Sequence, residues 1–448
     1  MRLPNGAQCL LSHLSKYNTI PHSRTILNGH GYRDVHHSCK VLVIGGGTGG
    51  CSMAAKFAKK YKDPNKVIII EPSEVHYYQP LFTLIGGGIA SFEASKKPMG
   101  KVLPKHAKWI QDCAVSFEPA KNTVITRNGD TVEYDVMIVA TGLQYHWENI
   151  PGLLEAVRNP NSDVCSIYGP DTVSNVFKTI QKTTSGNAIF TFPNTPVKCP
   201  GAPQKIAYIA EDYFCKHKIR DKVNVTYNTA LPVIFGVKKY ADALWQVCES
   251  RGITVNTQTN LIEVDHLKKV ATFQKLDESK EKITQEFSML HVCPPMGSPK
   301  VLKDNPDLTN EAGFLTVDPG TLQHIKYRNI FGIGDCTNTP NSKTMAAIAS
   351  QGKVVYKNII DYMDGNMMNM KYGGYSSCPL VTGYNKCILA EFDYNLQPHE
   401  TFPIDQGKEH YIMFLLKKHG FPFIYWNMML KGRWDGPEFF RKCFHIMG

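Results

Sequence analysis

From Cys39 onward the chain alternates short apolar runs with longer stretches of helical period. Val41–Ile44, Val67–Ile70, Ala188–Phe192 and Val223–Tyr227 are almost wholly apolar and too short for buried helices, so each reads as a strand covered on both faces. Between them, Cys51–Tyr61, Pro203–Phe214 and Asp242–Arg251 carry apolar residues at helical spacing, which predicts crossover helices and an α/β fold of parallel sheets. Thr254–Asn256 and the segment LIEVDHLKKVATFQKL read as further strands. Near the end, Tyr411–Leu416 precedes Lys417 and Lys418, and Phe421–Leu430 precedes Lys431 and Arg433. Each is shorter than the ~20 residues a bilayer crossing needs, so no transmembrane helix is expected.

Length refines this picture: 448 residues suffice for two or three domains. The net charge of +11 suits an anionic membrane surface or an anionic substrate. It suits nucleic acid poorly, because no zinc-finger spacing, arginine-rich block or aromatic RNA-binding signature accompanies it. The 13 cysteines include no C-x-x-C pair and mostly sit singly in apolar stretches. That pattern indicates buried thiols in a reducing compartment, with no metal site indicated. The first acidic residue is Asp34, after Arg2, Lys16, Arg24 and Arg33 among scattered hydroxyl residues. A basic, acid-poor start of this kind predicts a mitochondrial transit peptide over residues 1–38, with order beginning near His37–Lys40.

The clearest chemistry lies in KVLVIGGGTGG, Lys40–Gly50. Gly45, Gly47 and Gly50 form G-x-G-x-x-G, with Thr48 and Gly49 in the same turn, and Glu71 ends the second strand. Strand, glycine turn, helix, strand and acid in register predict a dinucleotide site: backbone N–H groups and a helix N-terminus for the pyrophosphate, Glu71 for ribose hydroxyls. Tyr134–Gly142, YDVMIVATG, and Asn329–Cys336, NIFGIGDC, add two strands ending in Thr141-Gly142 and Gly334-Asp335. This pair resembles the two-domain flavoprotein disulfide reductases. The resemblance implies FAD, with Asp335 holding a ribityl hydroxyl, and two Rossmann-like domains, the FAD domain being interrupted by the second.

In that superfamily the inserted domain binds NAD(P)H through its own glycine turn. Here the matching turn is PNTPVKCPGAP, where Pro193, Pro196, Pro200 and Pro203 remove N–H donors and only Gly201 remains. The sequence therefore argues against a pyridine nucleotide as electron donor. Cys199 in that turn has two readings: a thiol activated by adjacent Lys198 in a stiff loop, or a structural cysteine. Lys343 after the Gly-Asp motif reads as a flavin or quinone neighbour or as an ordinary solvated lysine. The flavoprotein resemblance implies that Gln79, in PSEVHYYQPLF, lies against the flavin, whereas Tyr77 and Tyr78 read as core aromatics.

NAIFTFPNTPVKCPGAPQK, FGVKKYADAL, FGIGDCTNTPNSKT, SSCPLVTGYNKCILAEFDY and PFIYWNMMLKGRW together resemble the sulfide:quinone oxidoreductase family, over essentially the whole chain after Cys39. The resemblance implies that Cys199 and Cys378 are a redox pair, bridged by a disulfide or by a trisulfide. It further implies that hydrogen sulfide is oxidised to a cysteine persulfide, that electrons pass through FAD to ubiquinone, and that glutathione or sulfite takes the sulfur. Bacterial relatives use a third cysteine; Cys113 lies in plausible strand material without a motif match and reads as structural. The expected organisation is 39–155 and 293–370 for the FAD domain, 156–292 for the second Rossmann-like domain, and 371–448 for the second cysteine and a membrane anchor. With Tyr425, Trp426 and Trp434, the terminal apolar turns suit helices lying in the lipid interface of the inner mitochondrial membrane. The competing assignment is a type II NADH:quinone dehydrogenase-like flavoprotein; a redox-sensing flavoprotein without paired cysteines is a further alternative.

Overall fold

The computed structural model describes residues 35–446. The transit-peptide expectation falls almost wholly outside these residues; the first strand opens at His36. That strand, His36–Ile44, is the centre of a seven-stranded sheet. It pairs in parallel with Val67–Ile70 on one side and Thr131–Val139 on the other. Lys108–Ile110 extends one edge in parallel, while Thr123–Thr126 and Ala114–Glu118 add antiparallel strands at the other. Ile330–Gly332 returns much later in the chain and docks in parallel on Met137–Val139. Val67–Ile70 and the C-terminal ends Val41–Ile44 and Val136–Val139 of strands His36–Ile44 and Thr131–Val139 are apolar and buried, packed against helices Thr48–Tyr61 and Met345–Met363.

A second, five-stranded parallel sheet runs Val164–Cys165, Met289–His291, Gly186–Phe192, Val223–Thr229, Thr254–Asn256. Helix Ala202–Lys216 packs on it, burying Ile206, Ala207, Ala210 and Phe214. The segment Thr259–Glu286 forms a three-stranded antiparallel sheet. Ser376–Gly383 and Lys386–Phe392 form a hairpin whose first strand lies against helix Ala202–Lys216.

The C-terminal apolar turns are helical: Tyr411–Leu415, a wide turn at Leu416–Gly420, Phe421–Asn427 and Glu438–Ile446. Met413, Phe414, Tyr425, Met429 and Leu430 are buried against Tyr78, Leu84 and neighbours of the first unit. Other residues of the same turns point outward: Tyr411 is 58 % exposed, Phe423 64 % and Phe439 71 %. No helix among the described residues is long and apolar enough to cross a membrane.

Candidate active site

The glycine turn is shaped by two contacts. Gly45 has φ +98°, and a Cβ on Gly50 would stand 1.8 Å from the Gly45 carbonyl oxygen, so neither position tolerates a side chain. Gly47 has nothing within 4 Å of where a Cβ would be. Glu71 secures the turn: its carboxylate accepts from Gly46 N at 2.5 Å and from Ser73 N at 2.6 Å. Helix Thr48–Tyr61 starts immediately, with no side-chain cap and no acid in its first turn, leaving its N–H groups and positive end free for an anion.

A cavity of about 670 Å³ begins at this turn. Gly45, Gly47, Thr48, Gly49, Glu71, Gln79, Thr141, Gly142, Asp335, Lys343 and Cys199 all reach its wall. Gly50 and Cys378 stand behind it: Gly50 in the helix–strand packing, Cys378 in contact with Cys199. The wall carries polar groups that the chain leaves unpaired. The Thr141 hydroxyl is buried without a hydrogen-bond partner. Burial raises the pKa of Asp335, on the cavity wall, above the usual carboxylate value. A glycine cradle, a free helix N-terminus and polar groups awaiting partners fit FAD: the turn would hold its phosphates, Glu71 its ribose and Asp335 its ribityl chain. Lys343 is no solvated lysine; its ammonium is largely buried and donates to the Thr337 and Thr339 carbonyls at 2.7 and 3.0 Å.

The proline-rich loop brings the first sulfur to the same cavity. Cys199 sits at φ +50°, a left-handed conformation unfavourable for a side-chain-bearing residue. It is held there by Cys199 N donating to the Lys343 carbonyl at 2.7 Å and Ala202 N donating to the Cys199 carbonyl at 2.8 Å. Cys378 arrives from the hairpin strand Ser376–Gly383, and the two Sγ atoms, 179 positions apart in sequence, stand 4.0 Å from each other. Gly201 makes room for this: a Cβ there would be 2.9 Å from Cys378 Sγ and 2.7 Å from Leu380. The hairpin therefore packs against the start of helix Ala202–Lys216, the place where a second nucleotide fold would receive a pyrophosphate.

The charges differ from the expectation based on sequence neighbours. Lys198 does not serve Cys199: its ammonium donates to Gln79 Oε1 and lies 4.5 Å from the Tyr145 ring centroid. The left-handed Cys199 turns the chain so that Lys205, in the first turn of the following helix, donates to Cys199 Sγ at 3.3 Å. Lys205 is only 2 % exposed. A second buried lysine, Lys417, stands close by and donates to the Pro80 carbonyl at 2.7 Å. The hydrogen bond with Cys378 and, against burial, the positive Lys205 and Lys417 hold the Cys199 thiol well below its ordinary pKa. The same bond, with burial, pushes Cys378 well above. Of the two sulfurs, Cys199, which faces the cavity and takes the hydrogen bond from Lys205, is the better placed to carry a negative charge. Burial, and then repulsion from Lys205, lowers Lys417 to about 8. A buried lysine at the first turn after Cys199 was the available sequence signal; Lys417 had none, since it comes from the far end of the chain. Cys113 lies just before strand Ala114–Glu118 rather than in a strand, takes a hydrogen bond from Arg127 at 2.9 Å, and is absent from the cavity wall.

The terminal helices close the cavity. Phe421 and Ile424 line it, and one residue on, Tyr425 reaches back to the glycine turn. His76 Nδ1 faces the Gly46 carbonyl at 3.0 Å, which can only accept, so Nδ1 carries the proton. Nε2 then accepts from the Tyr425 hydroxyl at 2.6 Å, and Tyr425 Oη in turn accepts from Thr48 Oγ1 at 3.0 Å. Burial lowers His76 to about 4, keeping the ring neutral in this chain of bonds.

The pyridine nucleotide-disulphide oxidoreductase family profile matches residues 39–175. A curated Mus musculus protein, "Sulfide:quinone oxidoreductase, mitochondrial", is 49 % identical over 91 % of this chain and 90 % of its own length. The chain belongs to the sulfide:quinone oxidoreductase family. A Dictyostelium discoideum family member of the same name is 44 % identical over 91 % of this chain and 89 % of its own. The crystal structure of the sulfide:quinone oxidoreductase from Aquifex aeolicus superposes with a TM-score of 0.75, covering 92 % of this chain and 95 % of that one; at 20 % identity it shows a shared fold. Membership makes this chain a flavin-dependent oxidoreductase with FAD as cofactor.

Proposed function

We propose that this enzyme oxidises hydrogen sulfide at Cys199 and Cys378 and passes two electrons through FAD to ubiquinone. The observation that carries the reading is the meeting of two distant sulfurs 4.0 Å apart on the wall of a dinucleotide cavity, with Lys205 3.3 Å from one of them. When the two cysteines are bridged, hydrosulfide bonds to Cys378 Sγ, the bond toward Cys199 breaks, and Cys199 keeps the electron pair as a thiolate. Lys205, hydrogen-bonded to Cys199 Sγ, and Lys417 stabilise the thiolate that this cleavage leaves on Cys199. Cys378 is left as a persulfide, from which a thiolate such as glutathione, or sulfite, takes the outer sulfur. When bound, FAD would supply the two-electron acceptor that lets the cysteine pair return to its bridged form, with the quinone as the final acceptor. The glycine turn, Glu71, Asp335 and Thr141 would hold it, and the Lys343 carbonyl holds the Cys199 loop by accepting from Cys199 N. Cys378→Ser removes the attacked sulfur, so sulfide-driven ubiquinone reduction should vanish while FAD stays bound; unchanged turnover would defeat the assignment.

The enzyme works at the mitochondrial inner membrane in this reading. Exposed Tyr411, Ile412, Phe423, Phe439 and Phe440 would enter the lipid interface, and the quinone would reach the cavity between Phe421, Ile424, Trp434 and Phe440. A chain ending before Tyr411 should lose vesicle binding; full retention would remove the anchor from the account.

A further inference from the structure

Helix Phe421–Asn427 presents three faces. Phe421 and Ile424 line the cavity, Tyr425 enters the core, Phe423 is exposed, and Trp426, one turn on, is half-buried against Tyr78 and His76. Two lysines from different parts of the chain stand beside this helix. Lys97, exposed on strand Lys96–Pro98, places its ammonium 4.4 Å from the Trp426 ring centroid. Lys431, just past the helix, points its ammonium at the Val102 carbonyl at 3.5 Å. They are close enough that Lys431, after burial, lowers the pKa of Lys97. Neighbouring acids do not neutralise them: Glu93 is paired with Lys96 at 2.7 Å and Asp435 with Lys56 at 2.5 Å. Lys97 and Lys431 are thus two like charges beside the Trp426 indole, with no ion pair to a carboxylate among the described residues.

We propose that Lys97, Lys431 and Trp426 bind the phosphate of an anionic phospholipid, at the depth where a tryptophan sits when Phe423 is in the acyl region. This rests on the membrane reading above and adds lipid selectivity to it. The lysines would then set the orientation of the cavity mouth as well as the strength of attachment. Each interfacial lysine contributes about fivefold to binding of an anionic surface, so the pair contributes on the order of 25-fold. The test is flotation of the FAD-loaded full chain with phosphatidylcholine vesicles, with and without a minority of cardiolipin. Wild type should prefer the cardiolipin vesicles. Lys97→Gln with Lys431→Gln should lose most of that preference, keep its binding to phosphatidylcholine, and turn over a water-soluble quinone normally. Phe423→Ser should weaken binding to both vesicles. Equal binding of wild type to the two vesicles, or a double variant that floats like wild type with cardiolipin, overturns the lipid site while leaving the anchor standing. Wild type that floats with neither vesicle overturns both.

Discussion

Replacing Lys205 by Met removes the buried cation that is hydrogen-bonded to Cys199 Sγ. The ammonium lies 3.3 Å from Cys199 Sγ and is buried. At an effective dielectric constant of ~20, two unit charges at this separation attract by about 5 kcal/mol, equivalent to nearly 4 pKa units. Only part of this is expressed, because the hydrogen bond from Cys378 and the charge of Lys417 remain in the variant and the site relaxes around the lost ammonium. The net expectation is a rise of about 2 units in the Cys199 thiol. The assay is the rate of iodoacetamide labelling of Cys199 in the dithiol enzyme, followed by mass spectrometry across pH. Lys205→Met should move the labelling midpoint upward and Lys205→Arg should leave it near wild type. A midpoint in Lys205→Met unchanged from wild type would refute the placement of the negative charge by this lysine.

Lys417→Met should raise the melting temperature at pH 7. The folded pKa of about 8 lies below that of the unfolded lysine, so between the two the unfolded chain binds the extra proton and stability grows with pH. The advantage of the variant, about 2 kcal/mol after allowing for the lost bond to Pro80, should therefore shrink as pH rises from 8 toward 10, and an advantage constant over that range would contradict it. Tyr425→Phe leaves His76 Nε2 and Thr48 Oγ1 without their partner, which should cost about 2 kcal/mol in denaturant unfolding and speed FAD release; an unaltered unfolding midpoint would show that the bond chain is not holding the helix. Gly201→Ala has an ordinary backbone but places a methyl 2.9 Å from Cys378 Sγ, so sulfide should reduce its flavin at least tenfold more slowly, on the order of 1.4 kcal/mol, with FAD content intact; wild-type reduction would show the contact to be yielding.

The glycine unit was readable because its signals are local. Val41–Ile44, the glycines, helix and Glu71 all follow within one stretch, and the helix merely begins at Thr48 instead of Cys51. The return strand at Ile330 was equally visible as an apolar run before Gly334-Asp335. What could not be read locally was anything set by chain direction or distance. Lys198 is next to Cys199 in sequence, but the left-handed turn at Cys199 sends it to Gln79 and brings Lys205 round. Lys417 and Cys378 reach the site only through tertiary packing, and only resemblance linked Cys378 to Cys199 beforehand. The terminal turns looked uniformly apolar, and only the structure divides them among core, cavity and outer faces.

In the proposed mechanism electrons come from sulfur at this cysteine pair and not from a pyridine nucleotide. Anaerobic titration of the FAD-loaded enzyme, first with sulfide and then in a fresh sample with NADH, tests this most directly by the flavin absorbance. Sulfide should bleach the wild-type flavin and fail with Cys378→Ser, and NADH should leave both yellow. Bleaching by NADH, or bleaching of Cys378→Ser by sulfide at the wild-type rate, would contradict it.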